Sequence, residues 1–151
     1  MKWIIFCVAL SFGALFIVPQ VAGWENKLFH RNTDLTTIEY DIFNSINEKR
    51  EAEYSELAPL TWDQGLYTKA KEHSQWMINT GIFTHSAGAE NENVFKGEDI
   101  IISQIANSCV DKWMLSSGHR RTLLKPEITR AAVAIAINED GTTVFATFLA
   151  K

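Results

Sequence analysis

Cysteine is scarce in this sequence: the 151 residues include only Cys7 and Cys109, and proline occurs only 3 times. Cys7 lies in an N-terminal segment that we expect to be cleaved off, which would leave Cys109 alone. A single cysteine cannot form an internal disulfide, so the sequence excludes a disulfide-stabilised secreted domain. Cys109 falls on the apolar face of a predicted helix, where buried packing is favoured over a reactive thiol. Stability must therefore come from the hydrophobic core or from a bound ion.

Long apolar runs are absent after the N-terminal segment. In that segment Lys2 is followed by an apolar run over residues 3–18 and by Val21-Ala22-Gly23, a pattern typical of a secretory signal peptide and its cleavage site. The alternative, an uncleaved membrane anchor, is disfavoured because the run falls short of the ~20 apolar residues that a spanning helix needs. We therefore expect a signal peptide over residues 1–23 and a secreted, extracellular domain over residues 24–151, with no stable membrane anchor after cleavage.

An excess of positive charge is also absent. The 14 Lys and Arg residues are outnumbered by 18 Asp and Glu residues, for a net charge of −4. Loss of residues 1–23, which hold Lys2 and no acidic residue, moves the net charge to −5. A mildly acidic domain has no electrostatic reason to bind nucleic acid or anionic lipid. The sequence also lacks an Asn-x-Ser/Thr sequon, so N-glycosylation is not expected.

Three helices are predicted by apolar residues that recur at helical spacing. The first is capped by Asp34 and ends in the charged segment 48–56, the second ends at Gly81, and the third runs from about Asp99 to Ser116. Their expected core positions are Leu35, Ile38, Ile42 and Ile46; Leu66, Ala70, His73 and Met77; and Ile101, Ile105, Cys109 and Trp113.

The pattern changes after Pro126 from helical spacing to alternation. Residues 130–138 and 142–149 are predicted as antiparallel strands joined by the turn Glu139-Asp140-Gly141. In the first of these strands Val133, Ile135 and Ile137 alternate with alanines, so we expect both faces to be covered, with a helix lying close over the alanines. Residues 93–95 are a further short strand. The fold class predicted is α+β, one domain with helices packed on a small antiparallel sheet.

The segment Ser116-Ser117-Gly118 is predicted to stop the third helix, with glycine just past the C-terminus. His119 follows at once and would therefore be held at a helix end rather than in a flexible loop. This placement makes its imidazole a candidate site residue.

The four histidines differ in their surroundings. His30 lies in the lead-in and is interpreted as a surface residue, and His73 falls at a core position, where a structural role is favoured. His85 and His119 each follow a predicted helix end, and Glu92 comes soon after His85. Two imidazoles and a carboxylate are a known set of protein ligands for zinc with an open position. Because the two histidines lie 34 residues apart, their spacing alone is a weak indication of a metal site.

Six segments match family motifs in a fixed order along the chain. They are Asn47 to Arg50 as Asn-x-x-Arg, Pro59-Leu60-Thr61-Trp62-Asp63, His85-Ser86, Glu92-Asn93-Val94, Trp113 with Ser117-Gly118-His119-Arg120, and Val133 to Ile137. Together they resemble the CAP superfamily of cysteine-rich secretory proteins, antigen 5 and plant pathogenesis-related-1 proteins, over nearly all of residues 24–151. The resemblance implies a CAP-type α-β-α sandwich with a small antiparallel sheet between helices.

The resemblance also implies a shallow cavity lined by two histidines and, in many members, two glutamates. Carried over to this sequence, the histidines are His85 and His119 and the first glutamate is Glu92, with Glu90 as a competitor if the loop shifts by two residues. The second glutamate is expected where this sequence has Ser116. The predicted cavity residues are therefore His85, Glu92, Ser116 and His119, and an acid–base pair of two carboxylates lacks one member.

Three functions are compatible with these residues. The favoured one is a non-enzymatic extracellular binding protein for a sterol, a fatty acid or a protein partner, with zinc as the candidate metal at His85 and His119. The alternative is a zinc-dependent hydrolase or protease with Glu92 as general base, or a variant with Ser116 or Ser117 as nucleophile. In the third, these side chains form a buried polar network that holds the loops without any ligand.

Overall fold

The computed structural model describes residues 34–151, and the expected signal peptide lies outside them. In chain order the elements are α1 (Leu35–Glu53), β1 (Thr61–Trp62), α2 (Gln64–Thr80), β2 (Glu92–Glu98), a 3-10 helix (Ile102–Gln104), α3 (Ile105–Leu115), α4 (Ser117–Leu123), β3 (Arg130–Ile137) and β4 (Thr143–Ala150). Within the described residues no helix is both long and apolar enough to cross a membrane.

The strands form one sheet in the order β1-β3-β4-β2. β4 pairs antiparallel with both β2 and β3, which forms the small antiparallel sheet that was predicted. The two-residue β1 adds a parallel pairing with β3, so the complete sheet is mixed. The strand predicted at residues 93–95 is longer and is paired with β4 over its whole length. The α+β class with helices on both faces is confirmed.

The two faces of the sheet are covered as the alternation predicts. Val133 and Ile135 pack in the larger core with residues of α1 and α3. Ala132 and Ala134 pack on the other face against α2, whose Leu66 and Ala70 approach closely because alanine leaves room for the helix. His73 was predicted at a core position of α2, and this is wrong: Ser74 is fully buried there instead, and its hydroxyl donates to the Ala134 carbonyl at 3.1 Å and lies 2.8 Å from the Thr147 hydroxyl.

The first helix begins and ends where the sequence predicts. Asp34 caps it as predicted, accepting a hydrogen bond from the Thr36 amide at 3.0 Å. Its end within the charged segment 48–56 is also as predicted, because the last residue of α1 is Glu53. Glu, Lys, Arg and Ala, which make up much of that segment, are strong helix formers, and Arg50 is buried there rather than solvated.

The third predicted helix starts later than expected. Asp99 has a positive φ of 53°, and α3 begins only after the short 3-10 turn. Ile101, predicted in the core, is 54% exposed, whereas Ile105, Cys109 and Trp113 are buried as predicted. The positive φ at Asp99 interrupts regular backbone structure, so apolar spacing alone places the helix start too early.

Two buried side chains hydrogen-bond to strand backbone. Glu39 of α1 accepts a hydrogen bond from the Ile135 amide of β3 at 3.0 Å, beyond the end of the two-residue β1. The Trp113 indole donates to the Val94 carbonyl of the outer strand β2 at 3.0 Å. These bonds satisfy backbone groups near the margins of the sheet and leave fewer of them open to pairing with another chain.

Candidate functional site

His119 lies on a helix rather than after one. Ser116 has an extended backbone conformation and serves both as the C-terminal cap of α3 and as the N-terminal cap of α4. Gly118 and His119 are in the first turn of α4, and Gly118 is not among the glycines with positive φ. The third predicted helix does stop within the predicted segment, at Ser116, but Gly118 is not the residue that stops it, because a second helix begins at Ser117. This places His119 on a short but regular helix.

Helix α4 is attached to α1 through its backbone. The buried Arg50 guanidinium donates to the carbonyls of Leu123 at 2.6 Å and Lys125 at 3.1 Å. A cation at a helix C-terminus interacts favourably with its unpaired carbonyls. Arg120 of α4 also forms an ion pair with Glu53 at the end of α1. These contacts attach the C-terminal half of α4 to α1.

His85 is held by a buried carboxylate. Its Nδ1 lies 2.7 Å from Oε1 of Glu92, which also accepts a hydrogen bond from the Ser86 amide at 2.9 Å. The other carboxylate oxygen accepts from the Ser86 hydroxyl. The Glu92 side chain is only 1% exposed, whereas that of His85 is 56% exposed. Glu92 therefore lies behind His85 and orients its ring, leaving Nε2 as the nitrogen free to bind a ligand.

The loop that carries His85 has a second support, which the sequence does not predict. Nε2 of His73 lies 2.8 Å from the carbonyl of Thr84, the residue before His85. The His73 ring also stacks on Trp76, with 5.7 Å between ring centroids. Its position four residues from Met77 indicated a core role, and nothing local shows that the loop after α2 folds back over this ring.

The two candidate histidines lie side by side. The ring centroids of His85 and His119 are 6.3 Å apart and the ring planes make an angle of 51°. Burial, and to a smaller extent the neighbouring His85, lower the pKa of His119. His119 is therefore held in its neutral form to lower pH than a solvent-exposed histidine, and neutral imidazole is the form that binds metals.

The other predicted cavity residues are placed differently. Ser116 makes no side-chain capping hydrogen bond, and Glu90 is exposed and takes no part in the hydrogen bonds that Glu92 makes to His85 and Ser86. Glu90 instead lines a surface groove of about 860 Å³ that the sequence did not predict. The groove is formed by Tyr54, Glu56, Leu57, Glu90, Asn91, Ser117, Arg120, Arg121, Thr122, Leu124, Lys125, Pro126 and Glu127.

The metal-binding capacity of the site is limited to the histidine pair. Across residues 34–151 there is no group of three or more His, Cys, Asp or Glu side chains placed to hold a metal ion. Glu92 is close to His85, but its hydrogen bonds are made to His85 and Ser86. A metal ion placed between the two rings would therefore have two protein ligands, His85 and His119.

Comparison with solved structures shows proteins of the same fold. An outer surface protein from Borrelia burgdorferi superposes with a TM-score of 0.60 at 16% identity, covering 79% of this chain and 96% of that chain. An extracellular protein containing an SCP domain from Bacillus anthracis gives a TM-score of 0.59 at 21% identity over 77% of this chain, which corresponds to only 41% of that longer chain. NaASP2, crystallised with Zn²⁺, gives 0.55 at 11% identity, covering 73% of this chain and 77% of that chain.

Sequence comparison identifies the family. No curated protein sequence is a significant match. The family model described as CAP, the cysteine-rich secretory protein family, matches residues 43–149, which extend from the middle of α1 to the last residue but one of β4. The chain therefore belongs to the CAP family.

Proposed function

We propose that this chain is a non-enzymatic, extracellular CAP-domain binding protein whose His85–His119 pair binds Zn²⁺ at an open, two-histidine site. The observation that supports this most directly is the 2.7 Å contact between Glu92 and Nδ1 of His85. A carboxylate on one imidazole nitrogen, with the other nitrogen bound to a metal, is the usual arrangement around protein-bound zinc. An extracellular location agrees with the printed descriptions of the Borrelia and Bacillus proteins.

The geometry of the pair fits a shared ion after a small adjustment. Zinc–nitrogen bonds of about 2.0–2.1 Å in tetrahedral geometry place two imidazole centroids about 5 Å apart. The centroids of His85 and His119 are 6.3 Å apart, so the rings would need to approach by about 1 Å. With two protein ligands the remaining positions fall to water or to a bound partner, and affinity should be well below that of a structural zinc site.

The hydrolase alternative receives less support from the geometry. A general base must reach the water or substrate proton, and the Glu92 side chain is only 1% exposed and already bonded to His85 and Ser86. The serine-nucleophile variant requires a hydroxyl hydrogen-bonded to His119, whereas Ser117 lines the groove. These features favour a binding role for the site.

The groove beside α4 is the candidate position for an organic or protein partner. Its volume of about 860 Å³ lies within the usual range for small-molecule sites. Tyr54, Leu57 and Leu124 supply apolar surface, whereas Arg121 and Glu127 are among the charged residues at the same groove. This mixture suits an amphipathic ligand such as a fatty acid, or a protein segment, better than a wholly apolar sterol.

Thermal unfolding with Zn²⁺ or with a chelator tests the metal site. At a free Zn²⁺ concentration 100 times Kd, binding should stabilise the fold by about 2.7 kcal/mol and raise Tm by roughly 10 °C. His85→Ala and His119→Ala should each abolish most of this rise, and the exposed Glu90→Gln should keep it. A wild-type Tm that does not respond to Zn²⁺, or a response retained without both histidines, would refute the site. Turnover of peptide or ester substrates above a chelated control would refute the non-enzymatic role.

A further inference from the structure

The strand β2 holds both histidines through two consecutive residues. Glu92 binds the ring of His85, as described above. The next residue, Asn93, donates from Nδ2 to the backbone carbonyl of His119 at 3.0 Å. Because neighbouring residues of a strand point to opposite faces, Glu92 and Asn93 reach opposite sides of the sheet. One short piece of strand is therefore linked to the two segments that carry the candidate ligands.

The support on the Asn93 side is concentrated in this one bond. The other anchors of α4 lie further along it: Arg50 binds the carbonyls of Leu123 and Lys125, and Arg120 pairs with Glu53. Asn93 binds at the first turn, at His119 itself. Without this bond, the start of the short helix α4 would be free to move away from β2 while its end stays attached to α1.

The polar side chain of Asn93 is buried at a position where an apolar side chain would pack at lower cost. Asn93 is 0% exposed. Its Oδ1 is buried and has no hydrogen-bond partner within residues 34–151. A buried polar atom without a partner destabilises the fold, so an apolar side chain of similar size would suit stability at least as well. A requirement for the Nδ2 donor at this position explains the choice of asparagine.

We infer that Asn93 is a positioning residue that sets the separation between the His119 and His85 rings. Glu92 fixes one ring and Asn93 fixes the backbone of the other, and β2 between them is paired with β4 over seven residue pairs and so acts as a rigid spacer. Its importance for metal binding rests on the proposed function. Its effect on the spacing of the two rings does not depend on metal binding, because that spacing can be measured in metal-free protein.

The test replaces Asn93 and measures ring proximity and metal affinity separately. Asn93→Leu keeps a similar volume and removes the donor, and Asn93→Ala also removes it without adding a polar or charged group. The matched control is Ser74→Ala, which removes a fully buried hydrogen-bonding side chain from α2 without contact to either histidine. Ring proximity is read from NMR cross-relaxation between the His85 and His119 ring protons without metal, and affinity from Co²⁺ titration.

In wild-type protein and in Ser74→Ala we expect clear cross-relaxation between the two rings. In both Asn93 variants it should weaken or disappear, and Co²⁺ affinity should fall by about ten- to a hundred-fold. Cross-relaxation at the wild-type level in a folded Asn93 variant would overturn the positioning role, and so would an equal loss in Ser74→Ala. If Asn93→Leu does not fold, the smaller Asn93→Ala decides the question. A wild-type protein that binds no Co²⁺ but loses ring proximity on Asn93 substitution would refute the metal site and leave the positioning role standing.

Discussion

Replacing Arg50 by methionine removes the main connection between α1 and the end of α4. The Arg50 side chain is almost completely buried and donates to the carbonyls of Leu123 at 2.6 Å and Lys125 at 3.1 Å, with a longer contact of 3.4 Å to the carbonyl of Ala58. Methionine keeps an unbranched side chain and similar packing, but it offers no donor. The substitution therefore isolates the hydrogen bonds from the volume of the side chain.

The expected loss of stability follows from these bonds. Two good hydrogen bonds from a charged donor contribute about 1.5–3 kcal/mol each, and the carbonyls left behind lack buried partners. An offset comes from the guanidinium itself, since burial lowers the pKa of Arg50 and methionine avoids the cost of burying a charge. The net loss should be about 2–4 kcal/mol, a large part of the ~5–15 kcal/mol that stabilises a domain. At about 4 °C per kcal/mol, Tm should fall by roughly 8–16 °C.

Urea unfolding and thermal unfolding of wild type and variant measure this loss. The control is Lys49→Met at the preceding position, because the Lys49 and Asp111 side chains are 46% and 64% exposed and their charged atoms are 3.9 Å apart. Such a surface pair contributes less than about 1 kcal/mol. An Arg50→Met protein within 1 kcal/mol of wild type, or one no less stable than Lys49→Met, would show that the carbonyl contacts do not hold α4.

Three further predictions test the fold and the site. Glu92→Gln should weaken Zn²⁺ binding by about ten- to a hundred-fold in a calorimetric titration, because a neutral amide orients the histidine less well; unchanged affinity would contradict that role. Gly81→Ala should lower the free energy of unfolding by about 1–2 kcal/mol in urea, because φ is +70° there. Gly118 lies in α4 with open space around it, so Gly118→Ala should be neutral or stabilising by up to about 1 kcal/mol. The reverse order would refute the assignment of α4. Burial raises the pKa of the Glu39 carboxyl group in the folded protein. The contribution of Glu39 to stability is therefore largest below its unfolded pKa of about 4.3 and is lost as pH rises through the higher folded pKa. Glu39→Gln should gain stability relative to wild type from pH 4 to pH 7 in urea unfolding, and a difference that does not depend on pH would contradict this.

Sequence motifs identified residues that hold the fold as well as residues of the site. Asn47 and Arg50 were singled out only as a family motif. In the structure Asn47 binds both backbone groups of Leu60, with its Nδ2 donating at 3.1 Å and its Oδ1 accepting at 2.8 Å. Arg50 binds carbonyls more than 70 residues away in the chain. A motif shows that such residues are required, and their partners become evident only when distant segments are packed together.

The sequence by itself determined the layers of this protein. The alternation of alanine with larger residues in β3 specifies which face of the sheet meets α2. Asp34 marks the start of α1, and Gly81 marks the end of α2. Both features depend only on neighbouring residues and on the geometry of a single element. The family resemblance predicted His85, Glu92 and His119 as cavity residues, but only the tertiary structure decided how their side chains are arranged. It made Glu92 the buried partner of His85 while Glu90 remained exposed, and it brought His119 to 6.3 Å from His85 through contacts from β2 and α1. Those contacts join residues far apart in sequence, so no local pattern encodes them.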